Sequence, residues 1–367
     1  MQREIDFNDA PLLVIWEVTR ARETARKQGL GSTENRRDPN ELTTAEGYSL
    51  IDDVAAMGTP HIIFSGGDPL QRSDLEALIF YAKAAGLHVG TIPATTPRLT
   101  RERLMTIKAA GIDQIALSID GATCAEHDEF RNVEGSFYHA MKGASWAHDL
   151  NIPLQANTVF GAWNADRFDE LAELVSSLGV VLWEILMFVP TGRDSELQGC
   201  SAEQVEQLFA KVHSFSRTAN FIVKITEGQH YQRYAAQHKK SARAGKRNPG
   251  KADLTSSKAV HAGNGFCFVD HVGEVYPSGY LPLACGNVRD TSIIDIYRNH
   301  PVFRDLKNPD LLEGRCAECT YKDVCGGGSR ARAYAMTGNL FADDPACVYR
   351  KETAAVQSDL ILNRQTA

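Results

Sequence analysis

Short apolar runs alternate with longer segments of helical period along the first half of the chain. The apolar runs are rich in β-branched residues and lie at 12–18, 61–65, 88–93, 114–119, 153–159 and 181–189. Between them, apolar positions recur with the spacing of one helix face at 44–57, 74–85, 101–110, 136–150 and 167–178. Gly86, Gly111 and Gly179 stand where these helices would end. The alternation predicts six βα units built around a parallel sheet.

Six units are too few to close an eight-stranded barrel. They predict either an open, partial barrel or a doubly wound sheet, and in both folds ligands bind at the carboxyl ends of the strands. After these units, 201–215 is typical of a connecting helix. The segment 235–258 carries seven Lys or Arg residues against one acidic residue and is predicted to be an exposed linker.

Composition narrows the class of protein. The 367 residues are 43% hydrophobic and 23% charged, and the formal net charge is -7. This balance argues against a protein that mainly binds nucleic acid or an acidic membrane surface. No apolar run reaches the roughly 18 residues of a membrane span, and the first residues lack the order of a signal peptide. We therefore expect a cytoplasmic protein with no nucleic-acid or membrane partner.

Cysteines are concentrated near the C-terminus. Cys316, Cys319 and Cys325 follow a C-x2-C-x5-C spacing, and Cys347 supplies a fourth thiol. Four soft ligands in one small region suit tetrahedral zinc or an iron-sulfur cluster, and the spacing does not decide between them. Cys267 and Cys285 are too few for a second full ligand set, and Ser329 would be a weak third ligand.

Several motifs fall at the carboxyl ends of the predicted strands. They are Trp16-Glu-Val-Thr-Arg20, Ser65-Gly-Gly-Asp-Pro69, Ser118-Ile-Asp-Gly121, His127-Asp-Glu-Phe-Arg131 and Val189-Pro-Thr-Gly-Arg193. With the C-terminal cysteines, they make the chain resemble the radical SAM family with a SPASM or twitch-type auxiliary-cluster domain, over nearly its whole length. The resemblance implies an α/β fold with a partial (β/α)6 TIM-like barrel over 1–195. It further implies a helical connection and basic linker over 196–260 and a smaller α+β domain over 261–367.

The same resemblance implies two cofactors, S-adenosyl-L-methionine (SAM, AdoMet) and one [4Fe-4S] cluster in the C-terminal domain, with zinc as the alternative. Cys316, Cys319, Cys325 and Cys347 would hold the metal. The SAM-binding residues that it implies are Gly66, Gly67 and Asp68 for the amino group, Ser118 and Asp120 for the ribose or methionine part, Arg131 for the carboxylate and Val189 for the adenine.

One feature of the family is missing from the sequence. Its members carry a C-x3-C-x2-C loop after the first strand, and the three thiolates hold a radical-generating [4Fe-4S] cluster. Here those positions are Arg22, Arg26 and Gly29, none of which supplies a thiolate. Arg22 and Arg26 would instead place guanidinium groups that can bind a carboxylate of SAM. We therefore expect that this cluster has been lost.

Two functions follow from that expectation. The first is a SAM-dependent transferase or lyase with polar chemistry, such as methyl or aminocarboxypropyl transfer or SAM cyclisation, in natural-product or peptide tailoring. Such chemistry needs a positioned base or nucleophile, and the candidates at the pocket mouth are Glu17, Asp68, Asp120, His127 and Glu184. The alternative is a non-catalytic pseudoenzyme that binds a peptide, a tetrapyrrole or an active partner protein through its cluster domain. The substrate in the first case is a small molecule or a peptide.

Overall fold

A ten-stranded, mostly parallel sheet organises the protein. A computed structural model describes residues 5–22, 36–191, 197–238 and 260–350. Its strands are β1 (Leu13–Thr19), β2 (His61–Gly66), β3 (His88–Thr91), β4 (Gln114–Ser118), β5 (Leu154–Phe160), β6 (Leu182–Met187), β7 (Ile222–Thr226), β8 (His261–Ala262), β9 (Gly265–Val269) and β10 (Val275–Tyr276). The sheet order is β10-β9-β1-β2-β3-β4-β5-β6-β7, and β8 pairs with β9. Only β10 runs antiparallel to its neighbour among these strands.

Helices follow most of the parallel strands. They are α1 (Thr44–Met57), α2 (Leu75–Ala84), α3 (Arg101–Ala109), α4 (Cys124–Arg131), α5 (Ser136–Asp149), α6 (Phe168–Ser177), α7 (Ala202–Thr218), α8 (Tyr231–His238), α9 (Ile293–Asn299), α10 (Pro301–Leu306), α11 (Gly314–Ala317), α12 (Lys322–Cys325) and α13 (Arg330–Thr337). Within the described ranges, none is long and apolar enough to cross a membrane.

The alternation in β1 explains how sheet and helices pack. Side chains of successive strand residues point to opposite faces. Val14, Trp16 and Val18 are fully buried in the main core, whereas Leu13, Ile15 and Glu17 line a cavity on the other face. The fit on the helix side is close: a Cβ on Gly47 of α1 would lie 2.6 Å from the Trp16 ring. Only glycine allows this approach of α1 to the sheet.

The sheet curves around its inner face into a partial barrel. Residues from β1 to β7 and from β9 all line one cavity, which is possible only if the sheet wraps around it. This confirms the predicted α/β fold with a partial barrel. The six predicted strands correspond to β1 to β6. A seventh strand, β7, lies in the segment predicted to be a helical connection, and β9 extends the sheet beyond β1.

The C-terminal part of the chain contacts the N-terminal part at the edge of β1, at the N-terminal residues and at α1. β9 pairs in parallel with β1, with Val14 opposite Cys267. The Tyr297 hydroxyl of α9 donates to the Phe7 carbonyl and accepts from the Gly265 amide. Arg289 forms a salt bridge with Glu46 of α1, 2.6 Å between Nε and Oε1. The division into domains at 195 and 260 stays a prediction, although the sheet itself runs across both positions.

Candidate active site

The cavity inside the partial barrel has two chemically different walls. Its volume is about 390 Å³, within the range of small-molecule sites. One wall is apolar and consists of Leu13, Ile15, Ile63, Phe266 and Phe268. The wall formed by β4 to β7 carries polar side chains, Gln114, Gln155, Asn157, Glu184 and Lys224, beside apolar ones such as Leu182 and Leu186. The arrangement suits a ligand with an apolar face and charged or polar substituents.

The polar wall is one hydrogen-bonded network centred on Glu184. Its carboxylate accepts bonds from Lys224 at 3.0 Å, Thr226 at 2.6 Å and Gln155 at 2.8 Å. Burial alone would raise the pKa of Glu184, but the Lys224 charge and these donors hold the pKa below its usual value. Glu184 therefore remains an anion that fixes Lys224, and it lines the cavity.

The Gly66-Gly67-Asp68 segment is bonded to the chain directly after β1. The Gly67 amide donates to the Thr19 carbonyl at 2.8 Å, and the Asp68 amide to the Ala21 carbonyl at 2.9 Å. A Cβ on Gly66 would lie 2.2 Å from the Thr19 carbonyl oxygen, and one on Gly67 would lie 2.3 Å from that of Ala21. Both glycines line the cavity, so the strand-to-helix turn brings main chain to the predicted ligand site.

The Asp68 side chain is buried and accepts bonds from the Leu70 and Ala94 amides. It holds the short 3-10 helix Pro69–Gln71 against the loop after β3. Asp68 therefore shapes the turn that carries Gly66 and Gly67, and it is not among the residues that line the cavity.

Ser118, Asp120 and Arg131 converge on the cavity from the ends of β4 and α4. Arg131 forms a buried salt bridge with Asp120, 3.2 Å between Nη1 and Oδ2. The second Asp120 oxygen accepts the Val159 amide at 2.8 Å. Val189 lies apart from this group, buried against Ala262, Leu281 and Ala331, and it is not a cavity-lining residue. Four of the predicted SAM-binding positions, counting Gly66 and Gly67 as one turn, thus meet at the cavity and Val189 does not.

The four predicted catalytic residues occupy different environments. Asp120, Glu17 and Glu184 line the cavity. His127 is fully buried behind it, with Nδ1 accepting the Asp120 amide and Nε2 facing the Ser136 hydroxyl. Because Nδ1 accepts a bond, Nε2 carries the proton of the neutral ring. Burial lowers the pKa of His127 to about 4, so this neutral ring orients the Asp120 loop and α5.

Sequence reasoning missed Lys224 and the amide side chains of the polar wall. It also missed four further polar residues at or beside the cavity, Arg20, Glu227, His261 and His271. Arg20, Glu227 and His261 line it directly. His271 lies behind Glu17, 3.0 Å between Nδ1 and Oε2, and the Glu17 carboxylate raises the pKa of His271 against the effect of burial. A signal existed for Arg20, which directly follows the first strand. The positions of Glu227 and the two histidines at the cavity depend on β7 and on the pairing of β9 with β1. No local sequence pattern predicts either feature.

Glu227 joins the cavity to the C-terminal region. Its backbone has a left-handed φ of 54°, which is uncommon for a residue other than glycine. The carboxylate accepts bonds from the Ser278 and Ser329 hydroxyls, and the Arg332 guanidinium donates to the carbonyl oxygen. Burial raises the pKa of Glu227. These contacts close the side of the barrel between β7 and the C-terminal region.

The C-terminal cysteines lie in the segment from α11 to the residues after α13. The Gly328 amide donates to Cys325 Sγ at 3.2 Å, and the Tyr321 amide to Cys319 Sγ at 3.4 Å. Burial raises the pKa of Cys316 to about 12. Burial also raises the pKa of Cys325, and the nearby Cys347 and Cys316 sulfurs raise it further. Across the described part of the chain, no group of three or more His, Cys, Asp or Glu side chains is arranged as a metal-binding set.

Cys267 and Cys285 lie in the main hydrophobic core. Cys267 is on the outer face of β9, whereas its neighbours Phe266 and Phe268 face the cavity. Burial raises the pKa of Cys285 to about 12. Ser329 is engaged with Glu227 and does not contact this pair through any hydrogen bond found in the described residues. The two thiols are packed as small apolar side chains.

Comparison with known proteins decides the family. The model of the radical SAM superfamily matches residues 21–175. An AdoMet-dependent heme synthase of Oleidesulfovibrio alaskensis is 37% identical over 354 residues, which cover 95% of this chain and 91% of the relative. The chain belongs to the radical SAM superfamily. A second AdoMet-dependent heme synthase, from Methanosarcina barkeri, is 35% identical and covers 94% of this radical SAM protein and 99% of the relative.

Solved structures agree on the fold. Streptococcus suis SuiB bound to S-adenosylmethionine superposes with a TM-score of 0.72 over 93% of this chain and 78% of SuiB, at 12% identity. The relatives are named as enzymes over almost the whole length of the chain, which indicates that this radical SAM protein is an enzyme.

The comparisons contradict the function predicted from the sequence. We expected polar SAM chemistry, or a non-catalytic scaffold, from the residues of a single loop. Relatives that match almost the whole chain are named AdoMet-dependent heme synthases. The predicted enzyme without the cluster and with polar SAM chemistry is therefore not supported. The prediction rested on three positions of one loop, whereas the similarity to the heme synthases extends over 95% and 94% of the chain.

The family implies a [4Fe-4S] cluster after β1, and the residues at its positions do not fit one. Arg22 is buried, with a side chain that cannot ligate iron. Arg26 and Gly29 lie outside the described residues, and neither residue type has a thiolate. We therefore derive no reaction step through a cluster held at these three positions.

Proposed function

We propose that this radical SAM enzyme binds AdoMet at the Gly66–Gly67 end of the cavity and acts on a haem-type tetrapyrrole. The observation that carries the proposal is the two-walled cavity at the carboxyl ends of the strands. Phe266, Phe268 and Ile15 offer an apolar surface to the face of a conjugated ring. Arg20 and Lys224 offer cations to its carboxylates. A relative named AdoMet-dependent heme synthase, similar over 95% of the chain, is named for the formation of haem and so supports a tetrapyrrole as the class of ligand in this cavity.

Titrations with AdoMet and with haem test the two halves of the proposal separately. We expect one molecule of each to bind per chain, haem with a shift of its Soret band. Phe268→Ala removes a ring from the cavity wall, and we expect it to weaken haem binding about 10-fold. Phe80→Ala is the matched control, because Phe80 lies 66% exposed on α2. A wild-type protein that leaves the Soret band unchanged would contradict the tetrapyrrole half.

Turnover is tested with a panel of carboxylated porphyrins, anaerobically, with and without AdoMet and a one-electron reductant. We expect an AdoMet-dependent change in mass of one member of the panel, measured by mass spectrometry. The AdoMet-derived product in the same sample identifies the bond that breaks. Binding of the whole panel without any change in mass would exclude the proposed reaction.

We infer that Cys316, Cys319, Cys325 and Cys347 hold an iron-sulfur cluster. The donor chemistry supports this, because four thiols lie in one segment and two of them accept backbone amides, as cluster sulfurs do. These four thiolates would hold the cluster, which would supply electron-transfer chemistry. The residues that would tune it from outside include Arg233, whose charge acts on Cys347.

Metal analysis tests the cysteine assignment. Anaerobically purified protein should contain about four iron and four sulfide ions per chain if the site is a [4Fe-4S] centre. We expect Cys319→Ala to lose most of both. Cys124→Ala should change neither, because Cys124 is exposed on α4 and contacts Asp128. Full iron content in Cys319→Ala would show that the cluster lies elsewhere, and zinc in place of iron would change the identity of the metal.

A further inference from the structure

Arg20 is held in place by its main chain at the mouth of the cavity. Its amide donates to the Glu41 carboxylate at 3.1 Å, and Glu41 also accepts the Thr19 hydroxyl at 2.6 Å. On the other side, a Cβ on Gly67 would lie 2.4 Å from the Arg20 carbonyl oxygen. The backbone is therefore fixed from two directions, and the side chain lines the cavity.

The guanidinium of Arg20 has no hydrogen-bond or ion-pair partner among the described residues, and its Nε is buried without an acceptor. The other two cations on the cavity wall differ in this respect. Arg131 is paired with Asp120, and Lys224 is paired with Glu184. A cation that is partly removed from water without a counter-ion is unfavourable. Of the cations that the described residues place on the cavity wall, Arg20 is therefore the one that lacks a carboxylate partner.

The nearest carboxylate on the same strand is already engaged. Glu17 is paired with His271, and the charge of Arg20 reaches His271 and Tyr276 on the neighbouring hairpin. The Glu17 carboxylate accepts its bond from His271, whose other ring nitrogen lies 3.6 Å from Asp38. Within the part of the chain that the structure describes, the nearby carboxylates are thus engaged elsewhere, which leaves the Arg20 guanidinium available to an anion of a bound molecule.

We propose that Arg20 binds a carboxylate of a molecule in the cavity. The guanidinium fork matches a carboxylate in a bidentate geometry. Two sources share this chemistry, the methionine carboxylate of AdoMet and a carboxylate side chain of the tetrapyrrole. Each source rests on one half of the proposed function, the first on AdoMet binding and the second on tetrapyrrole binding, and the titrations below test the two halves separately.

Arg20→Gln tests the proposal by equilibrium titration with four probes: AdoMet, decarboxylated AdoMet, haem and haem dimethyl ester. We expect the variant to lose about 10- to 100-fold in affinity for one carboxylate-bearing probe, the range for a hydrogen bond to a charged group. Its affinity for the matching probe without the carboxylate should equal that of the wild type. Arg20→Lys keeps the charge without the fork and should lie between the two.

Arg101→Gln is the matched control, because Arg101 is exposed on α3 and contacts the Met105 sulfur. A loss confined to AdoMet assigns the carboxylate to the cofactor, and a loss confined to haem assigns it to the substrate. Unchanged affinity for both AdoMet and haem in Arg20→Gln, with the protein folded, overturns the proposal. Failure of the wild type to bind haem would remove the proposed substrate and leave the AdoMet titration as a valid test of Arg20.

Discussion

Gly67→Ala is expected to destabilise the protein by about 3 kcal/mol and to abolish AdoMet binding. The added Cβ would lie 2.3 Å and 2.4 Å from the Ala21 and Arg20 carbonyl oxygens. These are backbone atoms, which cannot rotate away as a side chain end can. Relief would require the chain after β1 to move from the turn, and the Gly67–Thr19 and Asp68–Ala21 hydrogen bonds would break.

Gly58→Ala is the control for the general effect of removing a glycine. Gly58 ends α1 with a φ of 89°, and a Cβ there would meet open space. Its expected cost is about 1 kcal/mol, from the left-handed backbone alone. Urea unfolding of both variants gives the comparison. Equal losses would show that the contact of Gly67 with the β1 loop does not constrain the site.

Stability is expected to fall steeply between pH 6.5 and pH 4. Burial lowers the pKa values of His127, His230 and His261 to about 4. In the unfolded chain these histidines titrate near 6.5, so between the two values the unfolded state binds more protons. Each histidine therefore contributes stability above about pH 6.5 that is lost as the pH falls toward 4. At pH 5 the loss is roughly 2 kcal/mol per histidine.

Urea unfolding of the metal-free protein at pH 7.5 and pH 5 measures this loss. His230→Phe isolates one contribution, since the imidazole is fully buried against Phe209 and neither ring nitrogen has a hydrogen-bond partner in the described residues. We expect the variant to lose about 2 kcal/mol less than the wild type between the two pH values. An identical loss in both proteins would mean that His230 is not kept neutral by burial.

The periodicity of the sequence predicted β1 to β6 and the helices between them because each element carries its own local pattern. It missed β7, Ile222–Thr226, since a short strand of Ile, Val, Lys, Ile and Thr between a helix and a basic segment has no clear alternation. The pairing of β9 with β1 is also absent from any local pattern, because the partners are separated by about 250 residues.

Site residues whose position depends only on the local sequence were placed correctly at the cavity, and those whose position depends on tertiary packing were not. Gly66, Gly67 and Ser118 follow strands directly, and the structure brings them to the cavity. His127 was expected at the mouth of the cavity. Its side chain instead points toward Ser136, because α4 packs against α5 there. The function was predicted wrongly because the loop after β1 was given more weight than the whole-chain pattern.

The pairing of β9 with β1 also has a consequence for biosynthesis. A ribosome releases β1 long before β9, so the first strand of the barrel emerges with one edge unpaired and stays so until residues 265–269 have been made. Unpaired strand edges recruit other strands, and long-range parallel pairing is slow. Nascent chains stalled before residue 265 would therefore expose the unpaired edge of β1 to strands of other chains.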